Sequence, residues 1–390
     1  VFGPREDAAA RRALDNVLEE AVSHYGPRIV GWRDVPSDNA CLGDLARAAE
    51  PSVRQAFIDG GGLEDEALER RLYLARKRAE RLVRERFGEA GEDFYVPSMS
   101  CRTVVYKGMF FAHQLYAYYP DLADERMVTA LCLVHQRYST NTFPSWRLAQ
   151  PFRMVAHNGE INTLSGNRNR MRSREMRMAC PDLGDDLTDL KPVLTPGDSD
   201  SAQFDQCLEL LVRAGRSLPH AMMMMIPEAF GSRYHMSTDK RAFYEYHTAI
   251  TEPWDGPAAM VFTDGRLVGG TLDRNGLRPA RYVVTTDGLL VLGSEVGVAT
   301  FPPEQIQRKG RLQPGRMLLV DTEAGRIITD NEVKSRIARQ KPYRRWLESS
   351  RIELRGLFDA TRAEPPDDDT LAKRMRMFGY TREEKKMLLL

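Results

Sequence analysis

The stretch LVHQRYSTNTFPSWRLAQPFRMVAHNGEIN, residues 133–162, constrains this chain more than any other, because twice within it a short apolar run breaks off into a dense polar one. Leu131, Leu133 and Val134 read as a central strand, and residues 135–142 that follow hold no aliphatic side chain. Such a run makes a poor core and a good site. Phe152, Met154, Val155 and Ala156 read as a second short strand, ending in His157-Asn158-Gly159, where Asn-Gly is a turn-forming pair. Two strand ends are therefore expected to face one pocket.

The chain has 390 residues, room for two or three ordinary domains or one large one, with a sizeable core. Its 56 Lys and Arg meet 55 Asp and Glu, a net charge of +1, so no global field draws it to nucleic acid or an anionic membrane. A small substrate is the expectation. Five cysteines, Cys41, Cys101, Cys132, Cys180 and Cys207, are scattered without CxxC or Cys/His ligand spacing, which points to a reducing compartment and no dedicated metal site. No run reaches the ~18 apolar residues of a membrane span and no leader pattern is present, so a cytoplasmic location is expected.

Along the chain, Leu14, Val17, Leu18, Ala21, Val22 and Tyr25 recur at helical spacing until Gly26-Pro27. Strands are expected at 29–35 and 53–58, with a brief helix between them capped by Ser37-Asp38-Asn39. Residues 64–87 read as a long surface helix, whose basic run RKRAERLVRER is interleaved with glutamates and so forms a solvated, ion-paired face. Strand candidates follow at 94–100, 103–106 and 127–134, with a helix at 110–119. Residues 162–179 have helical spacing, Asp198-Ser199-Asp200-Ser201 supplies N-cap residues for another helix, and Met222 to Met225 belong to a buried one. After Pro257 short apolar runs are punctuated by Asp264-Gly265, Asn275-Gly276 and Asp287-Gly288, which read as hairpins, and 316–320 with 326–329 adds another before a helix from Asn331. Antiparallel sheet with segregated helices is an α+β pattern. From about Lys341 the texture turns charged, and Pro365-Pro366-Asp367-Asp368-Asp369 reads as a linker.

HQRYSTNTFPSW, AHNGEINT, GDSDSAQFD and LPHAMMMMIPEAF, in this order and spacing, resemble the glutaminase domain of glutamate synthase large subunits, a class II glutamine amidotransferase. The resemblance implies an N-terminal-nucleophile hydrolase-like four-layer αββα sandwich, antiparallel sheets covered by helices. It implies an amidotransferase domain at 1–340 and, at 341–390, a linker and the beginning of the next domain. The activity implied is hydrolysis of glutamine to glutamate and ammonia, the ammonia passing to 2-oxoglutarate. A non-catalytic glutamine-binding module and another class II amidotransferase are the alternatives.

Hydrolysis of glutamine needs a grip on its amino-acid head, a nucleophile, and donors for the tetrahedral oxyanion. Arg137 has the planar fork that holds a carboxylate by two parallel hydrogen bonds, and by resemblance it binds the glutamine carboxylate with Ser139 and Thr140 nearby; otherwise it makes a structural ion pair. Asp200 resembles the carboxylate that receives the α-amino group, with helix capping as its plainer role and Asp198 as its rival. Asn158 and Gly159 resemble the oxyanion pair, one side-chain amide and one backbone N–H, where the plainer role is a hairpin turn. His157 is expected to be a hydrogen-bonded structural residue.

The family's nucleophile is an N-terminal cysteine whose own α-amine is the base, whereas residue 1 is Val and all five cysteines are internal. VFGPRED resembles a stretch well inside the family domain, so a truncated start and an inactive chain are expected. The resemblance further implies FMN and an iron–sulfur cluster in later domains of the full enzyme, with no cofactor held by these residues. Its partners would be those domains and an NADPH-oxidising subunit or ferredoxin, and neither nucleic acid nor membrane.

Overall fold

Asp7 accepts from the amides of Ala9 and Ala10 and so caps the first helix, α1 (Ala8–His24). Two residues at the start, β1 (Phe2–Gly3), pair with β3 (Ser52–Asp59), which pairs in turn with β2 (Arg28–Asp34) in an antiparallel sheet of order β1-β3-β2. The short α2 (Asp44–Ala48) lies between β2 and β3, and α3 (Asp65–Phe87) follows and packs on α1. The computed structural model describes residues 1–231, 233–352 and 367–388. Contacts divide the chain into two units, Val1–Arg345 and Trp346–Leu390; the second carries the helices Asp368–Met377 and Arg382–Leu388. Pro365 and Pro366 of the expected linker lie outside the described residues.

After α4 (Leu115–Tyr118) come β4 (Val155–Gly159) and α5 (Leu164–Glu175), then α6 (Asp200–Arg213), α7 (Leu218–Met225) and α8 (Thr238–Ile250). The remaining strands are β5 (Ala258–Thr263), β6 (Leu267–Leu272), β7 (Arg281–Thr285), β8 (Leu290–Gly293), β9 (Ile306–Arg311), β10 (Met317–Asp321) and β11 (Arg326–Ile328), before α9 (Asp330–Ala338). They form a five-stranded antiparallel sheet, β11-β10-β6-β5-β4, and a three-stranded one, β8-β7-β9. Leu272 and Leu318 of the large sheet pack with Tyr282, Leu290 and Leu292 of the small one, so the two sheets face each other. Helix α6 packs on β4, and α7 on α6. Of the four expected layers, these contacts show a helical one and two stacked sheets.

Asp264-Gly265 and Asp287-Gly288 turn hairpins as expected, but Asn275-Gly276 does not. There the chain leaves the large sheet for the small one, and buried Asp273 holds the turn by accepting the amides of Asn275, Gly276 and Leu277. The strands expected at 94–100, 103–106 and 127–134 are absent; only Tyr95 makes an isolated bridge, to Phe2. Val128 is 86% exposed and Val134 67%, so the supposed central strand has neither a ladder nor a core among the described residues. This region is held by side chains instead. Lys107 Nζ donates to Arg147 O (2.7 Å) and Tyr95 Oη (3.1 Å), and Tyr119 Oη to Lys107 O (2.9 Å).

Helix α3 corrects the expectation of a solvated surface helix. Arg76 and Lys77 are buried to 2% and 3% exposure. Arg76 pairs with Glu80 on its own helix and with Glu209 on α6, while Arg213 of α6 pairs back to Glu69. Lys77 Nζ donates to Pro192 O (3.0 Å) and Val193 O (3.3 Å), and burial pushes its amine down to about 8. The expectation fails for Arg76 and Lys77, which are enclosed, and holds for the end of the run, where Arg84, Glu85 and Arg86 are exposed and Glu85 pairs with Arg81.

Met222 to Met225 are buried in α7 as expected, and behind them His220 meets His247 of α8 Nε2 to Nε2 at 3.1 Å. His247 Nδ1 lies 2.7 Å from Phe243 O and so carries its proton there, which leaves its Nε2 to accept from His220. Burial first, then the neighbouring imidazole, pushes His220 down to about 3, and burial pushes His247 down to about 4. With buried His157, also near 4, three imidazoles stay neutral in the fold while their unfolded counterparts protonate below about 6.5. Their contribution is therefore complete above pH 6.5 and is lost as pH falls toward 4, by up to about 1.4 kcal/mol per pH unit for each. Asp205, raised by burial to about 6, works the other way, as do the carboxyls of Asp198 and Asp15, also raised by burial, while His135, lowered by burial, adds to the three. The melting temperature should fall between pH 7 and pH 5, and a flat profile in a thermal scan would refute this.

Candidate functional site

Strand β4 is displaced from its expected position. It runs not over 152–156 but over Val155–Gly159, because β5 supplies a ladder partner for every residue of it, Asn158 opposite Ala259 and Gly159 opposite Ala258. Asn158-Gly159 is thus not a turn, and the plainer role for this pair is removed. Gly159 has φ +152°, and a Cβ there would sit 1.8 Å from Pro257 O, so no other residue fits this backbone path.

Because β4 is the edge of its sheet, alternation along an antiparallel ladder leaves every second backbone group facing outward. Val155 N donates outward to Asp205 (3.1 Å) and His157 N to Gln150 Oε1 (2.7 Å). By the same alternation the Gly159 N–H faces outward, and it has no acceptor among the described residues. The Asn158 side chain, half-buried, makes no hydrogen bond among them either. Two adjacent donors are left open at the end of one strand.

The polar run and helix α6 converge on this strand end. Ser199 caps α6 through Ala202 N, which frees Asp200, fully buried in the first turn, where the helix dipole favours an anion. Asp200 Oδ1 accepts from Ser139 Oγ (2.5 Å) and Ser201 N (2.7 Å), and Oδ2 from Ile161 N (2.9 Å). Thr140 Oγ1 donates to Glu160 Oε1 (2.6 Å), the residue after Gly159. Asp198, the rival, is taken up by Arg147 (2.6 Å) and Gln206 (2.8 Å), which leaves Asp200 as the carboxylate of the strand end.

Arg137 is exposed and, among the described residues, forms no ion pair and no hydrogen bond to the other site residues; its backbone N–H donates to His135 Nδ1 (3.1 Å). His157 is hydrogen-bonded as expected, its Nδ1 2.8 Å from Ser201 Oγ, and burial, opposed by nearby Asp200, sets its low pKa. Ser201, Glu160 and Gln150 escaped the sequence reading. Ser201 and Glu160 sit inside the matched segments DSDS and NGEIN, while nothing local marked Gln150.

A family model, glutamine amidotransferases class-II, matches residues 1–346. The chain belongs to that family. The class II amidotransferase fold accounts for the stacked antiparallel sheets and the helices packed on them. Among curated relatives, the chain is 44% identical over 393 residues to the glutamate synthase [NADPH] large chain of Azospirillum brasilense, covering 100% of this chain and 26% of that one. It is 46% identical over 386 residues to the corresponding large chain of Bacillus subtilis (strain 168), covering 98% and 25%. The ferredoxin-dependent glutamate synthase, chloroplastic, of Spinacia oleracea is 38% identical over 398 residues, covering 100% and 24%. The chain thus spans about a quarter of the length of these relatives. Among the described residues no helix is long and apolar enough to cross a membrane, and no three His, Cys, Asp or Glu side chains gather to hold a metal ion.

Proposed function

We propose that this class II amidotransferase domain is the glutaminase portion of a glutamate synthase, binding glutamine at the end of β4 and releasing ammonia that goes on to 2-oxoglutarate. The observation that carries the reading is the pair of open donors, Asn158 amide and Gly159 N–H, beside the buried Asp200 carboxylate. In this reading Asp200 receives the α-ammonium through a free lone pair of Oδ2, and Ser139 and Thr140 line the head-group. Arg137, exposed and without an ion pair among the described residues, takes the α-carboxylate with its two-pronged fork. When a nucleophile attacks the side-chain amide, its oxygen becomes an oxyanion, and Asn158 and Gly159 are the donors it meets. The attack is not assigned to the thiols of Cys101 and Cys207, which burial pushes up to about 11 and about 12, leaving them protonated at neutral pH.

Residues 346–390 are proposed to lead out of the amidotransferase domain, a reading supported by the end of the family match at 346 and by the contact boundary at Arg345. The electron-delivering partner, an NADPH-oxidising subunit or ferredoxin, would meet other parts of the enzyme, as would FMN and an iron–sulfur cluster; no reaction step here is routed through them. Titration of L-glutamine against the chain, with D-glutamine as control, tests the head-group site. Arg137→Ala should weaken binding by about 1.5–3 kcal/mol, roughly 10- to 150-fold, the scale of a charge-assisted hydrogen-bond pair. Unchanged affinity would remove Arg137 from the site.

A further inference from the structure

The outward side of β4 has three backbone positions and, among the described residues, no neighbouring strand. Two are closed by side chains borrowed from elsewhere. Gln150, 6% exposed, copies one rung of a ladder: its Oε1 accepts from His157 N (2.7 Å) and its Nε2 donates to His157 O (3.1 Å). Asp205, fully buried on α6, accepts from Arg153 N (3.2 Å), Met154 N (2.7 Å) and Val155 N (3.1 Å), gathering the three amides that lead into the strand. A strand bonded on one side only is free to twist or fray at its edge. Here the free edge carries the Gly159 N–H, two residues beyond the Gln150 rung.

We infer that Gln150 and Asp205 are positioning residues that stand in for a missing strand, fixing β4 so that the Asn158 amide and the Gly159 N–H meet the oxyanion together. The inference rests on the reading of the site as a glutaminase. Helix α6 then serves two ends at once: Asp200 in its first turn holds the head-group and Asp205, five residues on, holds the donor strand. Both contacts are isosterically removable. Gln150→Glu keeps an acceptor for His157 N and loses the donor to His157 O. Asp205→Asn turns one of its two acceptor oxygens into an NH2 group, which then faces a backbone N–H.

The test uses the full-length gene product, with steady-state glutamine hydrolysis, amide hydrogen exchange across 153–159, and thermal melting for wild type and both variants. Each variant should lower kcat by about tenfold or more while KM for glutamine stays within about twofold, because a small displacement of donors acts on the transition state and leaves the head-group grip alone. Exchange at Asn158, whose backbone is laddered to Ala259, should rise in parallel. If kcat and KM both stay at wild-type values in the two folded variants, the inference is overturned and the contacts only stabilise the fold. A fall in kcat that matches the unfolded fraction from melting overturns it as well. Asn158→Ala is run alongside: if it leaves kcat intact, the glutaminase reading of the donors falls instead. Exchange then decides positioning alone, since unchanged protection at Asn158 in both variants overturns it.

Discussion

Replacing Asn158 with Ala in the full-length gene product should lower kcat for glutamine hydrolysis by a factor of about 100 to 1000, with a far smaller change in glutamine affinity. The asymmetry follows from when charge appears. In bound glutamine the amide oxygen is neutral and water-like donors serve it well enough; in the tetrahedral state it carries a full negative charge, and a fixed donor outside bulk water counts for most there. The structure sharpens this. Asn158 lies within the β4 ladder rather than in a turn, so its backbone is held by Ala259 whichever side chain it carries, and truncation should cost little stability. Measuring kcat, glutamine affinity and melting temperature together separates the possibilities. A variant with near-normal kcat and a depressed melting temperature would show that the amide only supports the strand.

The second large effect concerns stability. Arg76→Met should destabilise the fold by about 3–5 kcal/mol, because it strands the buried Glu209 carboxylate and takes from Glu80 one of its cationic partners, leaving it Lys77 and Arg153. Pairing it with Glu209→Gln should recover much of the loss, since the penalty comes from the unpaired charge and not from the vanished attraction. Denaturant midpoints of the single and double variants decide this. A single-variant loss below about 1 kcal/mol, the scale of a solvent-exposed pair, would mean that water enters between α3 and α6.

How far the molecule could be read in advance differs from one element to another. Helix α1, strands β2 and β3 and the Asp-Gly hairpins were legible because each is decided by its own neighbours: a 3.6-residue period, or a turn that only a few dipeptides can make. Residues 127–134 misled because β-branched residues make a strand only where a partner offers a ladder, and partnership is not local information. The position of β4 failed for the same reason, with β5, about a hundred residues later, drawing Asn158 and Gly159 into the sheet. Periodicity showed which face of α3 is apolar but not that Arg76 and Lys77 would be enclosed too, since for Arg76 this depends on Glu209 arriving from α6. At the site, Ser139 and Asp200 proved to be in contact, Asp198 is engaged by Arg147 and Gln206, and Arg137 forms no ion pair among the described residues.

The pairing of Arg76 with Glu209 also sets a clock. The two residues stand 133 positions apart, so at about 5–20 residues per second of synthesis the arginine waits roughly 7–27 s for its partner. Through that interval α3 is held first by α1, with Arg86 on α3 clasping Glu20 by both carboxylate oxygens at 2.6 and 2.7 Å, and then by Arg102 on Glu66 and by Asp189 on Arg78 and Arg81. A pair that looks from the finished fold like the keystone of the interior is, in the order of manufacture, among the later contacts to form, and the surface clasp between α1 and α3 comes first.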